Sequence, residues 1–124
     1  MPLPRLRVNP FQAKVLLEGI GTFFFVLSVA LAENQCGKTA LNASTRTRNL
    51  APLASGFTLS VLVFAFAYVS GGHFNPATTL GVLLIRGIRI ELATAYFIVQ
   101  SLGGILGAIF ALILSADVSR HIPA

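Results

Sequence analysis

The residues best suited to chemistry lie in one polar interruption of an apolar chain, Val69-Ser70-Gly71-Gly72-His73-Phe74-Asn75-Pro76-Ala77-Thr78-Thr79-Leu80-Gly81. Asn75 carries an amide with N–H donors and a carbonyl acceptor, and Pro76 follows it directly. Asn before Pro is a helix-start signal, because Asn caps and Pro at the first helical position has the required φ and no N–H to leave unpaired. The chemistry on offer is recognition by hydrogen bonding, with Asn75 as a donor at the positive end of a helix dipole. That arrangement favours an oxygen acceptor and disfavours a cation. Gly71 and Gly72 let the preceding backbone bend and let a ligand come close. Bond-making chemistry has no such support. His73 and His121 are the only histidines, and neither sits with a nucleophile or carboxylate in a recognisable motif, so no enzyme and no catalytic residue is expected. His73 reads as a structural hydrogen-bonding residue of the loop. A single cysteine, Cys36, makes neither an intrachain disulfide nor by itself a metal site, and no metal or cofactor is expected.

The elements that must position these residues follow from composition. The chain is 55% hydrophobic and only 10% charged, which places it in a lipid bilayer rather than in water. Three apolar stretches, 15–32, 50–70 and 92–116, approach or exceed the roughly 20 helical residues that a membrane span needs. Between the last two, a helix starting at Pro76 would run to about Arg86, with Gly87 as its C-terminal cap, a length of about 15 Å at 1.5 Å per residue. Half a bilayer calls for a re-entrant half-helix. The predicted class is an all-α membrane protein with three transmembrane helices and one half-helix. The loop from Ser70 to Phe74 is then irregular backbone at membrane depth, which survives only when buried in protein or lining a water-filled cavity.

Two polar residues inside the spans need partners. Glu18 lies near the start of the first span, where a carboxylate either faces a protein interior and finds donors or sits solvated at the headgroup boundary. Gln100 is a mid-membrane amide whose expected role is a structural hydrogen bond. Gly103 and Gly107 form a GxxxG pair, which lets two helix backbones approach closely.

Nine Lys and Arg against four acidic residues do not imply nucleic acid, because the cations are spread through flanks and connections. They read as membrane-edge anchors, with Arg5, Arg7, Lys14, Arg86 and Arg89 on one side and Lys38, Arg46, Arg48 and Arg120 on the other. By the positive-inside rule the N-terminus is cytoplasmic. Asn42-Ala43-Ser44 is a glycosylation sequon that reads as an unused triplet in a polar loop. Arg5, Arg7, Lys14 and Ala30-Leu31-Ala32 imitate a signal peptide, but the apolar run is too long and carries Glu18.

With these residues in view, the run SGGHFNPATTLG resembles the first pore loop of the aquaporin and glycerol-facilitator family of membrane channels, the major intrinsic proteins. LLEGIGTFFF is similar to that family's first helix with its glutamate, and AYFIVQSLGGILGA to its third helix, so the likeness runs from about Lys14 to Leu114. The resemblance implies a passive pore for water or small neutral, glycerol-like solutes, with Asn75, Pro76 and Ala77 as one of two Asn-Pro-Ala signatures. It implies that carbonyls of Gly71, Gly72 and His73 form an acceptor ladder, that Glu18 holds the loop through its backbone, and that Gln100 is an interior brace. Ser55 falls at the selectivity-filter position, where water-selective members carry an aromatic or a histidine, and it implies a wider filter. Thr78 replaces the valine usual after the signature and makes the rim more polar.

The likeness divides the chain into a cytoplasmic segment over 1–14, an aquaporin-like half over 15–116 and a C-terminal end over 117–124. Family members have two inverted repeats, whereas one Asn-Pro-Ala and no filter arginine after a second one occur here. The expected partners are therefore the bilayer, water or small neutral solutes, and another channel half or a homo-oligomer, the family forming tetramers. The protein is expected to be integral and multi-pass, in the plasma membrane or an organelle membrane. Two alternatives stand beside the channel half. One is a truncated, non-conducting product that associates with full-length channels through its glycine-bearing helices; the other is a half-size secondary carrier, disfavoured because Glu18 is the only coupling carboxylate on offer.

Overall fold

A first Asn-Pro pair, Asn9-Pro10, starts the architecture. In the computed structural model the Asn9 side-chain oxygen accepts the Phe11 N–H at 3.0 Å, and its carbonyl accepts the Ala13 N–H at 3.0 Å. The structure describes residues 9–40 and 51–121, with side chains over 9–34 and 51–116. The sequon at Asn42, Cys36, and the cations Arg5, Arg7, Lys38, Arg46, Arg48 and Arg120 lie outside those described side chains.

Among the described residues four helices follow in order: α1 (Pro10–Ala40), α2 (Ala51–Ser70), α3 (Pro76–Leu84) and α4 (Ile90–His121). The segments Pro10–Asn34, Ala51–Ser70 and Ile90–Ala116 are long and apolar enough to cross a membrane. The protein is an all-α integral membrane protein with three transmembrane helices and one re-entrant half-helix. α1 starts earlier than its first apolar residues because the Asn9-Pro10 cap, not hydropathy, sets the helix start. α3 has nine residues, about 13 Å of helix against about 30 Å of hydrocarbon core.

The end of α3 differs from expectation. The helix stops at Leu84 rather than Arg86, and Arg86, with φ +59°, takes the left-handed position assigned to Gly87. The Arg86 N–H donates to the Leu83 carbonyl at 2.9 Å and the Gly87 N–H to the Val82 carbonyl at 2.8 Å, the paired bonds of a Schellman motif. Gly87 serves one position later, by leaving room. A Cβ there would come within 2.9 Å of Val82 Cγ1.

Gly103 and Gly107 set the spacing of α1 and α4. A Cβ on Gly103 would meet the Gly19 carbonyl oxygen at 2.4 Å, and one on Gly107 the Phe23 carbonyl oxygen at 2.5 Å. Gly19 and Phe23 advance together with Gly103 and Gly107, and further along Asn34 donates to Ser115 Oγ at 3.1 Å, so α1 and α4 run parallel. α2 runs the opposite way, because its last residue, Ser70, bonds Glu18 near the start of α1. The glycine pair is thus spent on an internal seam.

Packing is inverted relative to a water-soluble bundle. Glu18, Thr22, Ser70, Thr79 and Gln100 are buried, whereas Phe57, Val61, Phe64 and Tyr68 form an exposed stripe along α2. α1 packs against both α2 and α4, and α3 rests on α4.

Candidate functional site

The loop between α2 and α3 takes its shape from glycine and from one carboxylate. Gly71 and Gly72 have φ of +99° and +66°, conformations that side-chain-bearing residues rarely adopt. Phe74 is also left-handed, at +45°, and for a bulky residue this costs of order 1–3 kcal/mol. Two contacts hold it there. Its N–H donates to Glu18 Oε2 at 2.7 Å, and its buried ring lies so close over Gly21 that a Cβ on Gly21 would fall 2.1 Å from Phe74 Cε1.

Glu18 is wholly buried and receives four donors. Oε1 accepts from the Ser70 hydroxyl at 2.8 Å and the His73 N–H at 2.9 Å; Oε2 accepts from the Phe74 N–H and from Gln100 Nε2 at 2.9 Å. The buried reading of Glu18 therefore holds over the headgroup-boundary one. Each of the two loop N–H groups would otherwise be an unpaired donor at membrane depth, costing about 1–3 kcal/mol. One acidic side chain on α1 thereby ties the end of α2, the loop and α4 together.

A second tier extends from Gln100. Its Nε2 also donates to Thr79 Oγ1 at 2.9 Å, and Thr79 in turn lies 3.2 Å from the Asn75 carbonyl and 3.1 Å from His73 Nδ1. Tyr96 donates its hydroxyl to the Ser70 carbonyl and sets its ring edge-on to His73, with centroids 5.5 Å apart. Thr79, Tyr96, Ser70 and Phe74 were not singled out from sequence as individual site residues. Thr79 is four residues after Asn75 and Tyr96 four before Gln100, on shared helix faces, but that spacing alone does not set them apart from ordinary packing residues.

Asn75 itself has extended backbone, with φ −155° and ψ 127°. Its Oδ1 accepts the Ala77 N–H at 2.8 Å and its carbonyl accepts the Thr79 N–H at 3.0 Å. The cap consumes the acceptor end of the amide and leaves the Nδ2 donors outward on an exposed side chain. Ala77 and Thr78 are exposed beside it. A groove of about 640 Å³ opens on the loop, with Lys14, Ser70, Gly71, His73, Arg89 and Glu91 among its lining. Arg89 and Glu91 pair at 3.1 Å, and the Lys14 ammonium has no ion pair among the described residues. Among the described residues no group of His, Cys, Asp and Glu could hold a metal.

The sequence of this site and its helices matches the major intrinsic protein family over residues 5–122. The chain belongs to that family. Mouse Aquaporin-8 is 36% identical over 104 residues, which is 83% of this chain and 36% of the mouse protein. Soybean Nodulin-26 is 31% identical over 102 residues, 80% of this chain and 35% of its own length. A rice protein, Probable aquaporin PIP2-6, is 34% identical over 111 residues, 82% and 37% respectively. The chain therefore spans little more than a third of the length of these relatives. The three spans with the half-helix make up one half of an aquaporin-like fold.

In this major intrinsic protein the expected site residues separate into two groups. Glu18, Gln100, His73 and the Asn75 backbone join one hydrogen-bonded cluster, with Gly71, Gly72, Pro76 and Ala77 shaping the turn into α3. Ser55 stands apart, about 22 Å along α2 from Ser70 at 1.5 Å per residue. Its hydroxyl donates to the Ala51 carbonyl at 2.8 Å, so it turns back onto its own helix. Gly103 and Gly107 lie in the α1–α4 seam and touch no part of the loop among their closest contacts.

Proposed function

We propose that this chain forms one wall of a passive transmembrane pore for water and small neutral solutes, with the Asn75 amide as the central donor. The observation that carries the reading is the division of labour at Asn75. Its Oδ1 is bound by the Ala77 N–H, so the group left to face a permeant is a pure donor at the start of a half-helix. Water or a polyol presents an oxygen to such a group; a cation is repelled by it, and the Lys14 ammonium in the adjoining groove adds to that exclusion.

The loop's other polarity is complementary. With the His73 and Phe74 N–H groups turned to Glu18, carbonyls of Gly71, Gly72 and His73 are the groups left to form an acceptor ladder beside Asn75. Ser55, small and with its hydroxyl committed to Ala51, would make a wide constriction that passes glycerol-sized molecules. A pore wall needs an opposite wall, so the working partner is another channel half or a further copy in an oligomer. Arg5, Arg7, Lys14, Arg86 and Arg89 favour a cytoplasmic N-terminus.

Light-scattering swelling of proteoliposomes tests this. A channel gives a glycerol flux that rises in proportion to the gradient and is indifferent to an imposed proton or sodium gradient. Flux that saturates and follows an ion gradient would instead mean a carrier, and swelling no faster than in empty vesicles would mean that this chain does not conduct by itself.

A further inference from the structure

We propose that the groove beside the loop binds the headgroup of an anionic phospholipid, with Lys14, Tyr68 and Arg89 as its donors. The site goes beyond the pore reading and does not depend on it, because Asn75, the donor offered to the permeant, does not line this groove.

The placement follows from the run of the spans. α1 and α4 are parallel and α2 opposes them, so the start of α1, the end of α2 and the start of α4 share one membrane edge. Lys14 lies in the second turn of α1, Tyr68 two residues before the end of α2, and Arg89 directly before α4. All three line one groove of about 640 Å³, the size of a small-molecule site. Residues far apart in sequence are thus gathered at the depth where lipid phosphates lie.

Each of the three has donors to spare. Lys14 precedes Glu18 by one helical turn on the same face, yet both Glu18 oxygens are taken by other donors and the ammonium has no ion pair among the described residues. Tyr68 ends the apolar stripe of α2 with its side chain wholly exposed, and its hydroxyl has no hydrogen bond among the described residues. The membrane edge is where an apolar ring with a polar tip is best placed. Arg89 gives Glu91 Oε1 one N–H at 3.1 Å, and a guanidinium carries five.

The charge and the walls select the ligand. Among the described residues Glu91 is the one carboxylate in the lining, and two cations against it leave the groove net positive. A phosphodiester with a net negative charge can accept charge-assisted hydrogen bonds from Lys14 and Arg89 together, which a headgroup carrying its own cation weakens. Phe11, Val82 and Leu92 add an apolar wall. The glyceride stem of a lipid covers such a wall, and an inorganic anion does not.

The test is NMR of the full chain in neutral detergent micelles, titrated with short-chain phosphatidylglycerol. Lys14 and Lys38 are the only lysines and Tyr68 and Tyr96 the only tyrosines. With Lys38→Arg, ¹⁵N-labelled lysine therefore reports Lys14 alone, and ¹³C-labelled tyrosine reports Tyr68 against the buried Tyr96. Both signals should shift and saturate, with half-saturation about tenfold weaker for phosphatidylcholine and no comparable shift with inorganic phosphate. Lys14→Gln should weaken the binding read at Tyr68 by roughly tenfold, and Lys14→Arg should keep it. Arg86→Gln removes an exposed cation outside the lining and should change binding by less than about twofold. Equal losses in Lys14→Gln and Arg86→Gln, or a shift that never saturates, would overturn the proposal in favour of diffuse charge at the membrane edge. Equal responses to the two lipids would overturn the preference for an anionic headgroup, and an equal response to inorganic phosphate would make this a soluble-anion site instead. No arm of the experiment requires the chain to conduct, so failure here and failure of the pore reading are distinguishable.

Discussion

Asn9-Pro10 and Asn75-Pro76 begin their helices with the same two bonds, yet among the described residues the second alone is joined to a buried hydrogen-bonded cluster. In both, the asparagine side chain takes the N–H two residues on, at 3.0 and 2.8 Å, and its carbonyl takes the N–H four residues on, at 3.0 Å. The dipeptide therefore specifies a helix start and nothing more. What distinguishes the second is the segment that precedes it. Asn75 follows a loop whose N–H groups at His73 and Phe74 are bound by a buried carboxylate, and whose turn needs Gly71 and Gly72. The Asn75 turn is held mostly by Glu18, Gln100 and Thr79, which lie on three different helices.

Removing what holds the second start should have the largest effect. Glu18→Ala strips a buried acceptor from four donors at once, and a loss of about 3–5 kcal/mol is expected by analogy with breaking a buried charged network. Unfolding in mixed micelles would read the loss, and amide exchange should accelerate at His73 and Phe74 far more than at Phe11. Equal acceleration at the two starts would mean that the carboxylate stabilises the bundle generally and does not single out the loop.

Gly21→Ala comes next. Its Cβ would drive into the Phe74 ring from 2.1 Å, and overpacking of this kind costs about 1–3 kcal/mol. Because the Phe74 ring must move away from residue 21, the Phe66–Phe74 ring contact at 6.2 Å should change with it. Proton NMR of the aromatic rings would show this.

Asn9→Ala and Asn75→Ala should each cost about 1 kcal/mol as simple cap losses, measured by the same unfolding assay. A markedly larger loss at Asn9 would show that the two caps are not equivalent. The smallest effect belongs to Gly81→Ala, where a Cβ meets nothing within 4 Å. Alanine there should be neutral or stabilise α3 by up to about 1 kcal/mol.

The spans and the half-helix were legible because hydropathy and Asn-Pro chemistry are local signals. The early start of α1 was available in Asn9-Pro10 but was hidden by counting apolar residues, which begin in earnest only at Val15. The helix end at Leu84 lies two residues before the expected Arg86 and the left-handed turn one residue before the expected Gly87, since a Schellman turn asks for a left-handed residue and glycine is merely its commonest occupant; here Arg86 takes the turn and Gly87 gives the space. Glu18 and Gln100 announced themselves as polar groups with nowhere to go. Thr79 and Tyr96 did not, because a threonine in an apolar half-helix and a tyrosine in a span are ordinary until the distances to His73 and Ser70 are known.

The most direct measurement exploits the fact that aspartate caps a helix as well as asparagine does but has no N–H to donate. Proteoliposomes with Asn75→Asp and with Asn9→Asp should fold alike, as each keeps its cap. Swelling above the level of empty vesicles should be present in the unmodified chain and in Asn9→Asp and absent in Asn75→Asp. Swelling of Asn75→Asp at the unmodified rate would contradict the claim that the Asn75 donor is what the permeant meets.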